Sequence, residues 1–376
     1  MAEHLQVASP DPKGRDHGGG IDAAAARHGG SRADWLDLST GINPVPYPVS
    51  PLPASAWTDL PDAAAGQALA AAARAFWRVP EGAGLLAAAG ASALIAAIPR
   101  LLALARVEIA GPTYNEHEAA FRAAGWAVGW AVGWAVGPPG QARVFVHPNN
   151  PDGRFFAPDP GGVLVIDESF CDVTPERSLI GLTEQPGVLV LKSFGKFWGL
   201  AGLRLGFAIG DPVLLARLAE MLGPWPVSGP ALAIGAQALA DQAWATATRV
   251  RLVADAARLD RMAGARLVEA GLVGAGLVEA GLVEAGLVGA GLVGAGLVEA
   301  GLVGAGPVGA GLVGGTGLFR LYEVADAARW QQVLAAHRIW SRSFPYNPRW
   351  LRLGLPGNAA AWARLALALH DLRERA

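Results

Sequence analysis

Residues 187–210 read GVLVLKSFGKFWGLAGLRLGFAIG. Two largely apolar runs, 187–191 and 204–210, the second opened by Arg204, flank a glycine-punctuated turn that carries Lys196. Short runs that are apolar at every position suit strands covered on both faces, the situation of a parallel sheet between helices. Three more short, mostly apolar runs lie upstream, 106–110 (RVEIA), 143–147 (RVFVH) and 163–167 (VLVID). Helical periodicity is expected over 62–78, 91–105, 115–124 and 211–222. The alternation predicts an α/β protein with a mostly parallel sheet sandwiched by helices. From Pro230 onward a helix is expected over 231–265. A second, smaller α/β patch is expected from 316, with LFRLYEV, a helix over 325–337, RIWSRSF, WLRLGL and a closing helix over 359–374. The expected division is an arm over 1–45 that joins the small domain, a large domain over 46–230 and a small domain over 231–376.

The chain has 376 residues, 52% of them hydrophobic and 16% charged, with 30 Lys+Arg against 32 Asp+Glu. A net charge of −2 leaves no basic excess to neutralise phosphates, so nucleic acid is not an expected partner. The single cysteine, Cys171, excludes a disulfide framework and a cysteine-built metal site, and no metal is expected. The opening MAEHLQVASPDPKGRD has no apolar run, so no secretory signal is expected and the cytoplasm is the expected location. Residues 84–105 are apolar but interrupted by Pro99 and Arg100, which argues against a membrane span.

Two repeats stand apart. From Gly271 to Gly315 a unit GLV(G/E)A recurs nine times, and these residues hold 16 of the 50 glycines. A period of five smears leucine and valine around a helix and alternates them between the faces of a strand, so neither element gains a steady buried side. WAVG, three times over 126–137, has the same look. Both are expected to be surface excursions, and deletion of 276–310 is expected to leave activity intact.

Lys196 sits among glycines with Ser193 three residues before it and Arg204 eight after. A lysine amine can form a Schiff base with an aldehyde, and serine with arginine can bind a phosphate on the same molecule. On these residues alone, a solvent-facing turn lysine fits as well.

The run SFGKFWGLAGLRLG resembles the lysine signature of the class I/II aminotransferase-like, fold-type I pyridoxal-phosphate enzymes. Further marks of that family follow its order. Gly90-Ala91-Ser92 resembles the helix start that receives the cofactor phosphate, where N–H groups and the helix dipole favour an anion. Pro112-Thr113-Tyr114 resembles the segment whose aromatic ring stacks on the pyridine. Asn149-Asn150-Pro151-Asp152-Gly153 resembles the asparagine loop, Asn150 facing the phenolic oxygen. Asp167-Glu168-Ser169-Phe170 resembles the segment whose aspartate keeps the pyridine nitrogen protonated. Arg352, in LRLG, matches the arginine for the substrate α-carboxylate. The resemblance thus implies pyridoxal 5′-phosphate as cofactor, a homodimer, Lys196 and Asp167 as catalytic residues, and Ser193 and Arg204 on the cofactor phosphate.

Within that family, His17-Gly18-Gly19-Gly20, Asp37–Pro44, Gly111–His117, Asp167–Leu179 and Pro348–Gly357 resemble the threonine-phosphate decarboxylase branch of cobalamin biosynthesis. This implies decarboxylation of a small phosphorylated amino acid, L-threonine O-3-phosphate, to (R)-1-amino-2-propanol O-2-phosphate. Arg342, then His17 and Asn43, are the residues implied for the substrate phosphate. Phe170, where the sister histidinol-phosphate aminotransferases usually carry tyrosine, favours the decarboxylase branch. A transaminase of that sister type and a non-catalytic relative damaged by the repeat are the alternatives. Leu60 stands where the aminotransferase branch places a tyrosine that reaches the neighbouring subunit. Only 13 residues separate Gly153 from Asp167, so a helix is expected to be shortened or missing there.

Overall fold

The computed structural model describes residues 17–102, 106–131, 142–157, 161–269 and 311–374. The pentapeptide repeat up to Ala310 and the WAVG copies from residue 132 onward lie outside the described residues.

In chain order the arm supplies α1 (Ile21–His28) and β1 (Leu36–Asp37), followed by a short helix, α2 (Ser55–Thr58). The large sheet and its helices come next: α3 (Ala63–Trp77), β2 (Gly84–Ala88), α4 (Ala91–Leu101), β3 (Arg106–Ala110), α5 (Asn115–Ala123), β4 (Ala127–Ala131), β5 (Ala142–Val146), β6 (Val163–Asp167), β7 (Val188–Ser193), β8 (Gly206–Gly210) and α6 (Pro212–Leu222). The chain then runs through α7 (Gly229–Ala240), α8 (Gln242–Glu269), β9 (Leu312–Thr316), β10 (Phe319–Glu323), α9 (Ala327–Ala336), β11 (Ile339–Trp340), β12 (Arg342–Phe344), β13 (Asn347–Gly354) and α10 (Ala359–Glu374).

The seven-stranded sheet has the order β2-β8-β7-β6-β5-β3-β4, parallel except for β8, which runs antiparallel to both β7 and β2. Its middle strands are apolar over most of their length because both faces are covered. On β7 and β6, Leu189, Leu191 and Val165 pack with Leu94, Ile98 and Leu218 of α4 and α6. The intervening Val188, Val190, Leu164 and Ile166 face Leu179, Ile180 and Leu182 on the opposite side. Each such side chain, taken fully out of water, contributes about 1.5–3 kcal/mol before entropy is charged against it. Between β5 and β6 no helix occurs among the described residues, in line with the short span from Gly153 to Asp167.

Four elements differ from expectation, the last being β9 in the small sheet. Residues 84–88 form β2, where the apolar run of 84–105 gave only a helix from 91. The first WAVG copy feeds β4, an edge strand parallel to β3 in the large sheet and not a surface excursion. Its unit of four is even, so Val128 and Trp130 fall on one side of the strand, a regularity the five-residue unit lacks. The helix expected over 231–265 is two helices. Asp241 ends α7 and starts α8, its carboxylate accepting from Trp244 N at 2.9 Å.

A four-stranded antiparallel sheet, β12-β13-β10-β9, is backed by α8 and α9, and α10 packs against both of these helices. Its strand β9 is the last unit of the pentapeptide repeat, so that unit is part of a sheet. The arm reaches the same end of the molecule, β1 pairing in parallel with β11.

Candidate active site

Open parallel sheets form a crevice where their strands end. Here the crevice is lined by Gly90, Ala91 and Ser92 at the start of α4, Tyr114 before α5, and Asn150 beyond β5. Asp167, Ser169 and Phe170 at the end of β6, Ser193 and Lys196 after β7, and Arg204 before β8 complete the wall. Eight sequence-predicted residues, Ala91, Ser92, Tyr114, Asn150, Asp167, Ser193, Lys196 and Arg204, are therefore in one pocket.

Lys196 springs from a rigid base. Phe194, Phe197 and Trp198 are fully buried around it, with Phe194 and Trp198 stacked at 5.1 Å. Gly199 closes the turn at φ 70°, and a Cβ there would lie 2.7 Å from Pro46 Cα, so the segment after the arm is pressed onto the turn. Asn43 seals that contact. Its backbone N–H donates to Lys196 O at 3.0 Å, and its Nδ2 donates to Phe197 O at 2.8 Å. The Asn43 side-chain oxygen accepts from Arg251 at 2.7 Å. Asn43, implied for substrate, thus has its amide nitrogen on the lysine turn and its amide oxygen on Arg251 and Val45 N.

The amine itself lies 5.3 Å from the Phe170 ring centre. Burial, followed by the positive charge of Arg352, pulls its pKa down to about 8, against an upward pull from Asp167. A second lysine, four residues earlier, behaves in the opposite way. Lys192 points to the other side of β7 and is buried with Glu168 at 2.6 Å and Asp172 at 3.5 Å. Desolvation is outweighed there by the two carboxylates, and the pKa rises above the ordinary lysine value. Of these two lysines, Lys196 is the one whose free amine becomes available within reach of neutral pH.

Asp167 is buried, yet its carboxyl is held below the usual range. Burial alone would raise it. The bond with His117 Nε2 at 2.9 Å, the charge of that ring and two bonds from Ser169 outweigh the burial. Motif reading gave His117 no role. The available signal was its place one helical turn after Tyr114, which puts both on one face of α5.

Arg204 lies at the mouth of the pocket in a left-handed conformation, and a Cβ on Gly90 would meet its guanidinium at 2.8 Å. No side chain caps the N-terminus of α4. Arg352, on β13, donates to the side-chain oxygen of Asn150 and, at 2.6 Å, to Ser39 O. Arg342 is its cross-strand partner on β12 and lies outside the pocket wall. His17 reaches Glu116 at 2.9 Å, with its ring 6.1 Å from that of Tyr114.

His147, Glu168 and Cys171 bring ligand atoms within 4.8 Å of one another, but internal bonds occupy them. His147 Nδ1 accepts from Phe156 N and Nε2 donates to Arg177 O, while Glu168 is bound by Lys192, Ser178 and Leu179 N. Burial and Glu168 keep the Cys171 thiol protonated.

A low-pKa amine, a buried carboxylate and a helix start beside an arginine suit an aromatic aldehyde with a basic ring nitrogen at one end and a phosphate at the other. The residues present fit pyridoxal phosphate on those grounds. The aminotransferase class I and II family profile matches residues 147–272. Over 375 residues the chain is 37% identical to the threonine-phosphate decarboxylase of Pseudomonas aeruginosa, covering 96% of this chain and 99% of that protein. It is 39% identical over 367 residues to the protein of the same description from a Sinorhizobium species, covering 94% and 97%. Its fold superposes with a TM-score of 0.69 on the histidinol-phosphate aminotransferase from Sinorhizobium meliloti, crystallised in complex with pyridoxal-5′-phosphate, at 15% identity and over 99% and 98% of the two chains.

Proposed function

The chain belongs to the threonine-phosphate decarboxylase family, on the aminotransferase class I and II scaffold, and on that premise we propose how its residues divide the work. The reaction is decarboxylation of L-threonine O-3-phosphate, with pyridoxal phosphate as cofactor. When bound, the cofactor supplies an electron sink conjugated to the substrate amine.

Lys196 holds the cofactor through its amine and afterwards delivers a proton from Nζ to the substrate carbon that has lost its carboxylate. Asp167 holds a proton on the ring nitrogen, and His117 keeps Asp167 ionised for that task. Ala91 and Ser92 N–H groups at the start of α4, with Ser193 and Arg204, bind the cofactor phosphate. Tyr114 would hold the ring by stacking, and Asn150 would hold its phenolic oxygen. Arg352 clamps the substrate carboxylate with a planar guanidinium, which also sets the orientation of the bond to be broken. Arg342 and His17 bind the substrate phosphate. Asn43 acts beneath the turn, and its part is to hold the base from which Lys196 projects.

The observation that carries this reading is the contrast of the two lysines, one neutralised as a cation by Glu168 and Asp172, the other poised in a pocket with an ionised aspartate. We further propose a cytoplasmic homodimer, divided into the arm, large and small domains over 1–45, 46–230 and 231–376. Among the described residues no helix is long and apolar enough to cross a membrane.

Single-substrate turnover tests the function. Purified protein with pyridoxal phosphate receives L-threonine O-3-phosphate and no keto acid. Release of carbon dioxide and aminopropanol phosphate is expected. Amino transfer that depends on a keto acid would move the protein to the aminotransferase branch, and silence in both assays would mark a non-catalytic relative.

A further inference from the structure

The last unit of the pentapeptide repeat lies against the turn that carries Asn150. A Cβ built on Gly314 of β9 runs into the backbone carbonyl of Asp152. One built on Gly153 runs into the carbonyl of Gly315. Turn and strand therefore meet backbone to backbone, with no room for a side chain between them. Gly315 has φ 143°, and a Cβ on it would also strike the Phe319 carbonyl of the adjoining strand β10.

The turn is otherwise tied mainly from within. Asp152 accepts from Asn149 Nδ2 at 2.8 Å and from Arg154 N at 3.1 Å, and Asn149 accepts from Thr113 at 2.6 Å. Asn150 projects from this turn and takes a hydrogen bond from Arg352. It is thus held between two strands of the small sheet, by a side chain of β13 and by the glycine strip of β9.

Eight of the nine repeat units end in alanine, and three of these carry glutamate at the fourth place, Glu279, Glu284 and Glu299. The unit 311–315 ends Gly314-Gly315. An alanine at the fifth place meets both the left-handed backbone and the Phe319 carbonyl, and a glutamate at the fourth meets Asp152. Near-identical segments in tandem invite a slip of register, which here would be five residues at a time.

We propose that Gly314 and Gly315 are positioning residues for the reaction. They let the 149–153 turn seat at the depth that presents Asn150 to the pocket, and they select this unit, of nine, as the strand. The inference rests on Asn150 facing the bound cofactor, as proposed above.

Two deletions of equal length test it. Removal of 276–310 leaves Gly314-Gly315 in place, whereas removal of 281–315 sets Glu279-Ala280 before Thr316 instead. The first is expected to keep the parent kcat/KM. The second is expected to lose on the order of a hundredfold, the cost of an ångström of misplacement. In the full chain, Gly314→Ala is the gentler probe and Val313→Ala its control on the same strand. Hydrogen exchange of the cofactor-free protein over 149–153 is expected to speed up in Gly314→Ala and not in Val313→Ala, with kcat/KM falling in the first alone. Parental kcat/KM and exchange in Gly314→Ala overturn the proposal, and so do equal losses in Val313→Ala. An inactive parent chain would instead overturn the proposed function.

Discussion

His117 Nε2 lies 2.9 Å from Asp167 Oδ2, and both side chains are shut away from solvent. An isolated carboxylate so placed would take up a proton, because burial is the largest influence on it and pushes its pKa upward. His117, with Ser169, reverses that sign. His117→Phe removes the bond and the charge, so the Asp167 pKa is expected to rise. A hydrogen bond to a buried charge contributes about 1.5–3 kcal/mol, which corresponds to a loss of about ten- to a hundredfold in kcat. Cofactor retention should be little changed. Steady-state kinetics with a pH titration of the bound cofactor's absorption checks both.

Lys196→Ala is expected to abolish turnover and the absorption band of lysine-bound cofactor, while leaving the fold intact. A retained band would mean that another amine holds the cofactor.

Lys192→Ala should act on stability instead. It strands Glu168 and Asp172 as buried charges beside each other, and breaking a buried pair in this way costs about 3–5 kcal/mol. Thermal or urea unfolding of the variant reads the loss directly, and a melting curve like that of the parent would contradict it.

The pH dependence of cofactor capture follows from Lys196. Its pKa lies near 8, below the ordinary lysine value, because burial and Arg352 disfavour the cation. The free amine is the nucleophile, so capture of pyridoxal phosphate by the cofactor-free protein should quicken as pH rises through about 8 and level off above it. An exposed lysine would go on gaining until about 10.4. Stopped-flow absorbance across that range separates the two.

Arg352→Lys keeps a positive charge but loses the planar fork that meets a carboxylate with two parallel bonds. It also loses the pair of contacts to Asn150 and Ser39 O. KM for the substrate is expected to rise about tenfold or more, as for the loss of one charged hydrogen bond, with the cofactor spectrum unchanged.

The interior strands of the large sheet were legible because burial on both faces leaves nothing but apolar residues, as in Val188–Leu191 and Leu164–Ile166. The edges were not. β2 (GLLAA) opens an alanine-rich run that reads on into α4, and β4 is disguised by the WAVG repeat. β9 was hidden for another reason. Its residues belong to a period that fits no element over nine units, yet a single unit fits a strand when a neighbour fixes the register. The pocket residues could be placed in chain order by motif, each of them bearing chemistry of its own. What motif reading did not show were roles exerted through another group, even at Asn43, which it had named for the substrate phosphate. His117 acts on Asp167, Glu168 with Asp172 on Lys192, and Asn43 on the backbone of Lys196 and Phe197. Such roles depend on spatial neighbours from 20 to 154 positions away in the chain, as Lys192 with Asp172 and Asn43 with Phe197 illustrate.

The pairing of β1 with β11 joins Leu36 to Ile339 and Asp37 to Trp340. A ribosome adds roughly 5–20 residues per second, so the arm emerges on the order of 15–60 s before the strand it needs. By the later part of that interval the large sheet has all its strands, while Leu36 and Asp37 still wait for their partners on β11. The repeat lengthens the delay, since every added unit is translated between the arm and its mate. This part of the arm is therefore among the last to settle, and pulse-labelled nascent chains should show protected Leu36 and Leu38 amides, which donate to Arg338 O and Trp340 O, only after residue 340 has cleared the exit tunnel.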